Sequence, residues 1–298
     1  MLVDGINIST SGKIIRIARV SAEGYEFINN PPSFVSDMKK NNIKADIFTF
    51  TQKLPDTKPM YLYYMEWDNV AALPITSFEH WWTKQLNDKT RNMIRRAEKK
   101  GVVVKIVDFD DEFARGITNI YNESPMRQGK PFWHYGKGFE TVRKENATFL
   151  ERSYFIGAYF ESELIGFIKL VYEKNFASMM QIISMIKHRD KAPTNALVAK
   201  AVEICANNQI PCLVYAKYSA HGMKKRDSLS EFKYHNRFLK IDIPRYYVPL
   251  TIKGNIAIKL KLHRNISQIL PENVIVTMKD IRRKWYERGI SCRESQGS

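Results

Sequence analysis

Three apolar stretches, separated only by short polar breaks, constrain what this chain can fold into more than any other feature. They cover residues 154–160, 164–172 and 177–186, and only the polar segment Glu161-Ser-Glu lies between the first two. Short apolar runs bounded by turn residues are typical of strands that are buried on both faces. The pattern therefore predicts an antiparallel meander at the centre of a sheet.

The segment after the meander predicts that the sheet is mixed. Pro193 suits a first helical turn, and the following residues place an apolar stripe on one helical face, formed by Leu197, Val198, Ala201, Val202 and Cys205. Another apolar run follows at 211–218. A strand, a crossover helix and a further strand form the unit that builds parallel pairs, so this order favours a mixed sheet covered by helices.

The remaining chain alternates between predicted strands and helices. Strands are expected at 13–20, 45–50, 61–75, 102–107 and 240–250, the last interrupted by Pro244, and helices at 31–41, 110–121, 139–149 and 228–238. A further helix takes Ser77 as its N-cap, leads into 89–100 and stops at Gly101. The fold class is thus α/β (α+β), with a mixed, mainly antiparallel central sheet flanked by helices. We predict an α/β extension over 1–76, a central domain over 77–250 and a basic tail over 251–298.

The charge balance indicates anionic partners. Lys and Arg outnumber Asp and Glu by 47 to 31, and the net charge of +16 attracts RNA, anionic lipid or a phosphate-bearing substrate. In the tail, basic residues lie beside aromatic and aliphatic ones in an amphipathic pattern, with Arg282, Arg283, Lys284 and Arg288 next to Ile281, Trp285 and Tyr286. This segment is either a packed terminal helix with a solvated face or a surface that contacts RNA or a membrane.

The sequence shows no pattern of export or of metal binding. Its first residues lack the basic start and apolar stretch of a signal peptide, and no run of about 18 apolar residues occurs. We therefore expect a cytoplasmic protein, and peripheral contact with an anionic membrane stays open. Cys205, Cys212 and Cys292 lack paired metal-ligand spacing, which argues against disulfides and a zinc site, and Cys205 is expected in the core.

Several phrases of the sequence resemble a known family. They are Lys89-Thr-Arg-Asn-Met-Ile-Arg-Arg-Ala-Glu-Lys-Lys-Gly, the hairpin Phe155-Ile-Gly-Ala-Tyr-Phe-Glu-Ser-Glu-Leu-Ile-Gly-Phe, the helix start Pro193-Thr-Asn-Ala-Leu, and Glu231-Phe-Lys before Phe238. In this order they resemble the GNAT acyltransferases, and in detail the Fem-like branch, which transfers amino acids in peptidoglycan cross-bridge synthesis. The resemblance covers roughly half of the chain and implies a GNAT-like fold.

The resemblance also implies where an acyl donor lies. In this fold two central strands diverge, here 177–186 and 211–218, and the donor, acyl-CoA or aminoacyl-tRNA, crosses the gap, where a pantetheine amide can bind as an added strand. The residues that the likeness assigns to the donor are Ile183, Met185, Lys187, Arg189, Lys191, Thr194, Asn195 and Phe232. The loop 187–195 lacks the glycines that cradle the pyrophosphate of CoA, as the Fem-like branch also does, so its basic residues either hold phosphate by charge or are simply solvated.

The same resemblance implies the catalytic residues. Phe232-Lys233 matches a Phe-Lys pair that lies near the transferring carbonyl in Fem-like proteins, and Lys233 would stabilise the oxyanion or bind donor phosphate. On its own pattern, Lys233 is equally an ordinary surface lysine, with Phe232 filling the core. The family usually has glycine where this chain has Arg237.

Proton transfer has several candidates. His134 lies in the aromatic loop Trp133-His134-Tyr135, which either covers the acceptor pocket with His134 as base or is a packing loop. Tyr218 and Asp227 flank a polar segment after the strand and are further acid or base candidates, and His221 is an alternative to either.

The whole pattern predicts an N-acyltransferase that moves an acyl or aminoacyl group to an amine acceptor. The sequence lacks HExxH, GxSxG, a Walker loop and the Rossmann glycine fingerprint, which weakens metal hydrolase, serine hydrolase and NTPase interpretations. The alternative is a non-enzymatic protein on the same scaffold that binds RNA or a membrane surface through its basic faces.

Overall fold

The computed structural model describes residues 1–41, 43–218 and 228–264, together with Val274 and Thr277. The strands are β1 (Leu2–Val3), β2 (Ile6–Ser11), β3 (Ile17–Val20), β4 (Ile47–Thr51), β5 (Tyr64–Pro74), β6 (Val103–Val107), β7 (Met126–Arg127), β8 (Lys130–Pro131), β9 (Ser153–Phe160), β10 (Glu163–Tyr172), β11 (Ala177–Ser184), β12 (Cys212–Val214) and β13 (Leu239–Pro249). The helices are α1 (Pro31–Lys40), α2 (Phe78–His80), α3 (Asp88–Lys99), α4 (Asp111–Asn122), α5 (Phe139–Asn146), α6 (Pro193–Asn207), α7 (Ser228–His235) and α8 (Ile252–Lys259).

Within these residues one large sheet carries the fold. Its eleven strands run in the order β1-β2-β3-β4-β13-β5-β12-β11-β10-β9-β6, and β7 and β8 form a separate small hairpin. Neighbouring strands are antiparallel except for β3 with β4 and β11 with β12, which are parallel. The predicted mixed, mainly antiparallel sheet with flanking helices is confirmed. The predicted domain boundary at residue 76 stays a prediction. The strand β5, which precedes that boundary in the sequence, lies in the sheet between β12 and β13, which follow it.

Helices cover both faces of the central meander. Successive residues of a strand face opposite sides, and Gly166 and Phe167 of β10 show which helices lie on each side. A Cβ atom added at Gly166 would lie 3.2 Å from Leu197 of α6. The ring of Phe167 lies 6.0 Å from that of Tyr121 in α4. The helix α6, with α3 packed against it, therefore covers one face, and α4 with α5 covers the other.

The predicted interruption of the last strand by Pro244 is wrong. The strand β13 is continuous, and Pro244 pairs with Trp67 of β5 in the middle of the ladder. The carbonyl of Pro244 accepts from Gln52 N, so its nitrogen also faces the β4 side, where β4 has already ended at Thr51. Proline is tolerated here because its missing N–H lies beyond the end of the neighbouring strand.

The predicted helix from Ser77 to Lys100 is two helices. Ser77 caps α2 by accepting from His80 N, as expected, and a π-helical turn at Trp81–Gln85 follows. Asn87 then caps α3 by accepting from Thr90 N. A second residue with a good capping side chain thus restarts the helix in a new direction. Gly101, at φ +80°, follows the end of α3.

Two findings concern the ends of the chain. The strands β1 and β2 were not predicted, because residues 2–11 alternate weakly between apolar and polar side chains. The basic segment at 282–288 lies outside the described residues.

Among the described residues, no helix is long and apolar enough to cross a membrane. Cys205 is fully buried in the core, as predicted, and burial raises the pKa of its thiol to about 12.

Lys169 is a buried cation that joins the meander to α5. It is 0% exposed, and its ammonium donates to the carbonyls of Asn146 and Thr148 and to Thr148 Oγ1. These acceptors lie at and just beyond the C-terminal end of α5, where backbone carbonyls lack helical partners. Burial lowers the pKa of Lys169 from 10.5 to about 8. Lys169 therefore caps the C-terminal end of α5, and its burial makes the protonated form less favourable than it is in water.

This burial predicts an unusual pH dependence. Between pH 8 and 10.5 the unfolded chain holds a proton on Lys169 that the folded chain has released, so the contribution of Lys169 to stability rises with pH in this window. We expect the free energy of unfolding of the wild type, minus that of Lys169→Met, to rise by up to about 1.4 kcal/mol per pH unit from pH 8 to 10. Denaturant titrations of both proteins at each pH measure it. A difference that does not change with pH would contradict the lowered pKa.

Candidate functional site

The strands β11 and β12 diverge almost as soon as they meet. Only two residue pairs join them, Ala177 with Leu213 and Ser178 with Val214. The register of β11 against β10 then shifts by one residue at Met180, as in a β-bulge. From Met180 to Ser184 the strand is only half-buried, although it lies in the interior of the sheet. The gap that was predicted between these strands is confirmed.

The backbone of β11 presents hydrogen-bonding groups to this gap. Met185 N donates to Ile165 O at 2.7 Å, so the backbone of Met185 faces β10. In an antiparallel pair the residues on either side of such a position face the other way. The backbone groups of Ser184 and Ile186 therefore face the gap, and the same alternation applies to Ile182. This is the edge on which the sequence placed the donor.

The basic residues after β11 are mostly engaged at the surface. Lys187 pairs with Glu163 at 2.7 Å, and Lys191 lies over the ring of Phe160 at 4.4 Å. Arg189 is exposed. Residue 192 has φ +55° and precedes α6, whose first turn has no side-chain cap, and Thr194 Oγ1 lies 2.6 Å from Ser184 Oγ. Thr194 is thereby tied to the gap edge, and Asn195 N bonds to the backbone of Ala192.

Lys233 lies on α7 beside the segment that continues β12. It is 1% exposed, its ammonium donates to Lys217 O, and it lies 4.6 Å from the centre of the Tyr215 ring. Tyr218 N donates to Asn69 Oδ1 at 3.0 Å, and Ser230 Oγ of α7 donates to Tyr218 O at 3.2 Å. The structure thus brings Lys233 and Tyr218 together where the chain leaves the gap, and Phe232 packs against the main core.

Two cavities open on the Val214 side of the sheet. One of about 170 Å³ is lined by Ser178, Val214 and Lys217 among others, and the next, of about 350 Å³, shares Lys217 with it. Both also share the side chains of Glu23, Asp68 and Arg245. The first cavity therefore begins at Ser178 and Val214, the last residue pair before the gap, and continues into the second cavity, which is lined by charged side chains.

Arg245 organises the charges of these cavities. Its guanidinium donates to both oxygens of Glu23, at 2.8 and 3.1 Å, and to Asp68 Oδ2 at 2.8 Å. Lys217 Nζ approaches the same Asp68 oxygen at 2.8 Å. Burial raises the pKa of Asp68, but the charges and hydrogen bonds of Arg245 and Lys217 outweigh it and lower the pKa overall. Asp68 therefore stays ionised at the floor of a partly apolar cavity.

His134 lies in the layer that α4 forms on the sheet. It is 2% exposed, between the rings of Trp133 at 3.7 Å and Tyr121 at 4.0 Å, and Tyr121 in turn packs on β10. Burial and the charges of Lys137 and Arg127 lower the pKa of His134 to about 4. The imidazole is therefore neutral at physiological pH, and its ring is covered by Trp133.

Some predicted residues come together and others do not. Ile183, Met185 and Thr194 follow the β11 side of the gap, whereas Lys233 and Tyr218 lie at its β12 side. His134 belongs to the layer formed with α4, and Asp227 and His221 lie outside the described residues. The sequence did not single out the charged residues of the cavities or the ion pair at the end of α4, namely Glu23, Asp68, Lys217, Arg245, Glu123 and Arg127. The available signal was charge inside predicted strands, as for Asp68 and Arg245.

Comparisons with solved structures match the fold but not the sequence. No family model and no curated protein matches this chain. The C-terminal domain of a candidate lysylphosphatidylglycerol synthetase from Agrobacterium fabrum is similar with a TM-score of 0.58 at 10% identity, over 87% of this chain and 86% of that one. FemX gives 0.56 at 8% identity over 85% of each chain, and L-PGS from Bacillus licheniformis gives 0.52 at 13% identity over 80% of each.

These likenesses show that the protein shares the fold of these structures, FemX among them. The fold resemblance that the sequence phrases suggested is confirmed. It also extends further than expected, because the sequence phrases cover roughly half of the chain and the match to FemX covers 85% of it. The opening strands therefore belong to the shared architecture.

The buried state of His134 predicts how the protein responds to acid. The pKa of His134 is about 4 in the folded chain, whereas a histidine in the unfolded chain has its ordinary pKa of 6.5. As the pH falls from 6.5 towards 4, the unfolded chain therefore binds the proton first, and the folded state loses stability. NMR titration of labelled histidine side chains should show one ring that stays neutral at pH 5, and His134→Gln should remove that signal. A midpoint near 6.5 for His134 would contradict the buried position.

Proposed function

We propose that this protein transfers an activated acyl group to an amine acceptor, and that aminoacyl-tRNA is the donor. The observation that carries the proposal is the gap between β11 and β12, with the half-buried edge of β11 on one side and the buried Lys233 on the other. The GNAT-like fold and the basic composition support it, because a large polyanionic donor suits a chain with a net charge of +16.

The reaction needs no covalent enzyme intermediate. The lone pair of the acceptor nitrogen attacks the ester carbonyl of the donor, a C–N bond forms, and the C–O bond to the ribose breaks. The proton that the amine loses passes through a base or water to the departing ribose oxygen. The enzyme therefore has to hold both substrates, receive one proton and stabilise the oxyanion.

Lys233 is the proposed oxyanion stabiliser. Its positive charge is held in a water-poor position by Lys217 O and the Tyr215 ring, next to where the chain leaves the gap. A fixed charge in such a place stabilises a developing oxyanion more than a solvated one does. Tyr218, at the same end of the gap, is the proposed proton relay, and Asp227 stays a candidate from the sequence.

The acceptor is proposed to enter from the cavities on the Val214 side. Asp68 and Glu23 are carboxylates at their walls, and a cationic amine is attracted to such groups. His134, in the layer formed with α4, is neutral and remains the proposed base only if Trp133 moves away from its ring. Without that movement, His134 has a packing role.

A second candidate acceptor is a lipid headgroup. Two of the similar structures are named for lysylphosphatidylglycerol synthesis, which joins an amino acid to a lipid. The basic composition suits an anionic membrane as well as it suits tRNA. In this case the same donor site would serve a headgroup hydroxyl instead of an amine.

Replacing Lys233 should separate an enzyme from a binding protein. We expect Lys233→Met to lower the transfer rate by about 100-fold or more, while tRNA binding is retained, because one preorganised electrostatic contact of this type is typically worth that much. Transfer of a radiolabelled aminoacyl group from charged tRNA measures it, and Lys200→Met, a lysine paired with Glu203 on α6, is the matched control. Unchanged transfer in a folded Lys233→Met protein would remove Lys233 from the mechanism.

The donor class can be tested by thermal stability. A ligand that binds only the folded state raises the melting temperature, so charged tRNA should raise it and acetyl-CoA should not. The tRNA effect should weaken at high salt because phosphate contacts release counterions. A shift with acetyl-CoA alone would favour an acyl-CoA enzyme, and equal shifts with charged and uncharged tRNA, without transfer, would favour the non-enzymatic RNA-binding alternative.

A further inference from the structure

An ion pair at the end of α4 occupies the edge of β11. Glu123 accepts from Ile186 N at 2.7 Å with one oxygen and from Lys187 N at 2.8 Å with the other. Arg127 donates to Ser184 O at 2.7 Å and pairs with Glu123 at 3.1 Å. The side chains of Glu123 and Arg127 are only 14% and 17% exposed. A side-chain pair thus satisfies three backbone groups, Ser184 O, Ile186 N and Lys187 N, where β11 ends.

These are groups that face the gap. Ser184 and Ile186 lie on either side of Met185, whose backbone is bonded to β10, so Ser184 O and Ile186 N are directed away from β10. The ion pair therefore behaves like a short piece of added strand, with Arg127 as its donor and Glu123 as its acceptor. The same backbone groups would be needed by any amide-bearing ligand that augments this edge.

The ion pair is held firmly in this place. The guanidinium of Arg127 also donates to Ile120 O at 3.0 Å and lies 4.6 Å from the centre of the Phe132 ring. Burial and nearby Arg189 lower the pKa of Arg127, but Glu123 opposes this, so the pair keeps its charges together. Removing the pair from the edge would leave a partly buried carboxylate without its two N–H donors, which is costly.

We propose that Glu123 and Arg127 are specificity-determining residues that exclude a pantetheine arm from this part of the gap. A pantetheine chain carries two amides, and they cannot bond to Ser184 O and Ile186 N while the ion pair occupies them. A donor whose acyl group is carried on a ribose ester needs no strand-like contact here. The inference rests on the proposed acyl transfer and defines its donor class by what the site rejects.

The test is to open the edge and offer the excluded ligand. Titration calorimetry with CoA, and separately with pantetheine, is carried out on the wild type and on the double variant Glu123→Ala/Arg127→Ala. We expect the double variant to bind both ligands roughly tenfold or more tightly than the wild type, because each strand-edge hydrogen bond regained contributes about that factor. Circular dichroism and melting temperature establish that the variant is folded.

A matched control separates the edge from simple charge. Glu163→Gln removes one negative charge near the same turn, but among the described residues the carboxylate of Glu163 bonds only to the side chains of Lys187 and His188, so no backbone edge is freed. We expect it to leave pantetheine binding unchanged. If Glu163→Gln improves pantetheine binding as much as the double variant does, charge alone explains the effect and the proposal fails.

Other outcomes are equally decisive. Wild-type protein that binds CoA as tightly as the double variant would overturn the proposal, and so would a folded double variant that binds neither ligand. If the double variant does not fold, Glu123→Ala, which frees Ile186 N and Lys187 N, takes its place in the same titrations with the same criteria. Binding of CoA and pantetheine needs no aminoacyl transfer, so a failure of the Lys233 experiment would leave this result interpretable by itself.

Discussion

The structure depends on one constraint: a backbone group inside a sheet must have a hydrogen-bonding partner. The strands β11 and β12 meet over two residue pairs and then separate, which opens the middle of an eleven-stranded sheet. On one side of the opening the chain turns through α6 and returns as β12, and on the other β10 holds β11 in place. The half-buried edge that results is the proposed place for the donor.

Buried charges hold the surroundings of this opening in place. Lys233 fixes the segment beyond β12, Arg245 draws Glu23 and Asp68 together at the cavities, and Lys169 ties α5 to the meander. Buried cations of this kind are expensive unless carbonyls or carboxylates surround them. In the proposed acyl transfer, Lys233 would supply such a preorganised charge beside the gap.

The sequence predicted the local architecture well and the charged site poorly. The meander and α6 follow from apolar periodicity, which is a local property, whereas the gap and Phe232-Lys233 were placed by resemblance. The predicted interruption at Pro244 was wrong because the tolerance of proline depends on where the neighbouring β4 ends. Glu123 was overlooked because its partners Ile186 and Lys187 are 63 and 64 residues away in the sequence. Long-range partners of single polar residues leave no periodic signal in one sequence.

The position of β5 has a consequence for how the chain is made. Residues 64–74 lie in the middle of the sheet, yet both neighbours of β5, β12 and β13, come from residues 212–249. During synthesis this strand therefore waits, with both edges unpaired, until nearly the whole central region has left the ribosome. Long-range pairing of this type closes large loops and slows folding. The nascent chain thus carries β5, whose second half from Val70 to Leu73 is apolar, without its sheet neighbours until residues 212–249 have been made, and extended apolar segments of this kind are what chaperones bind.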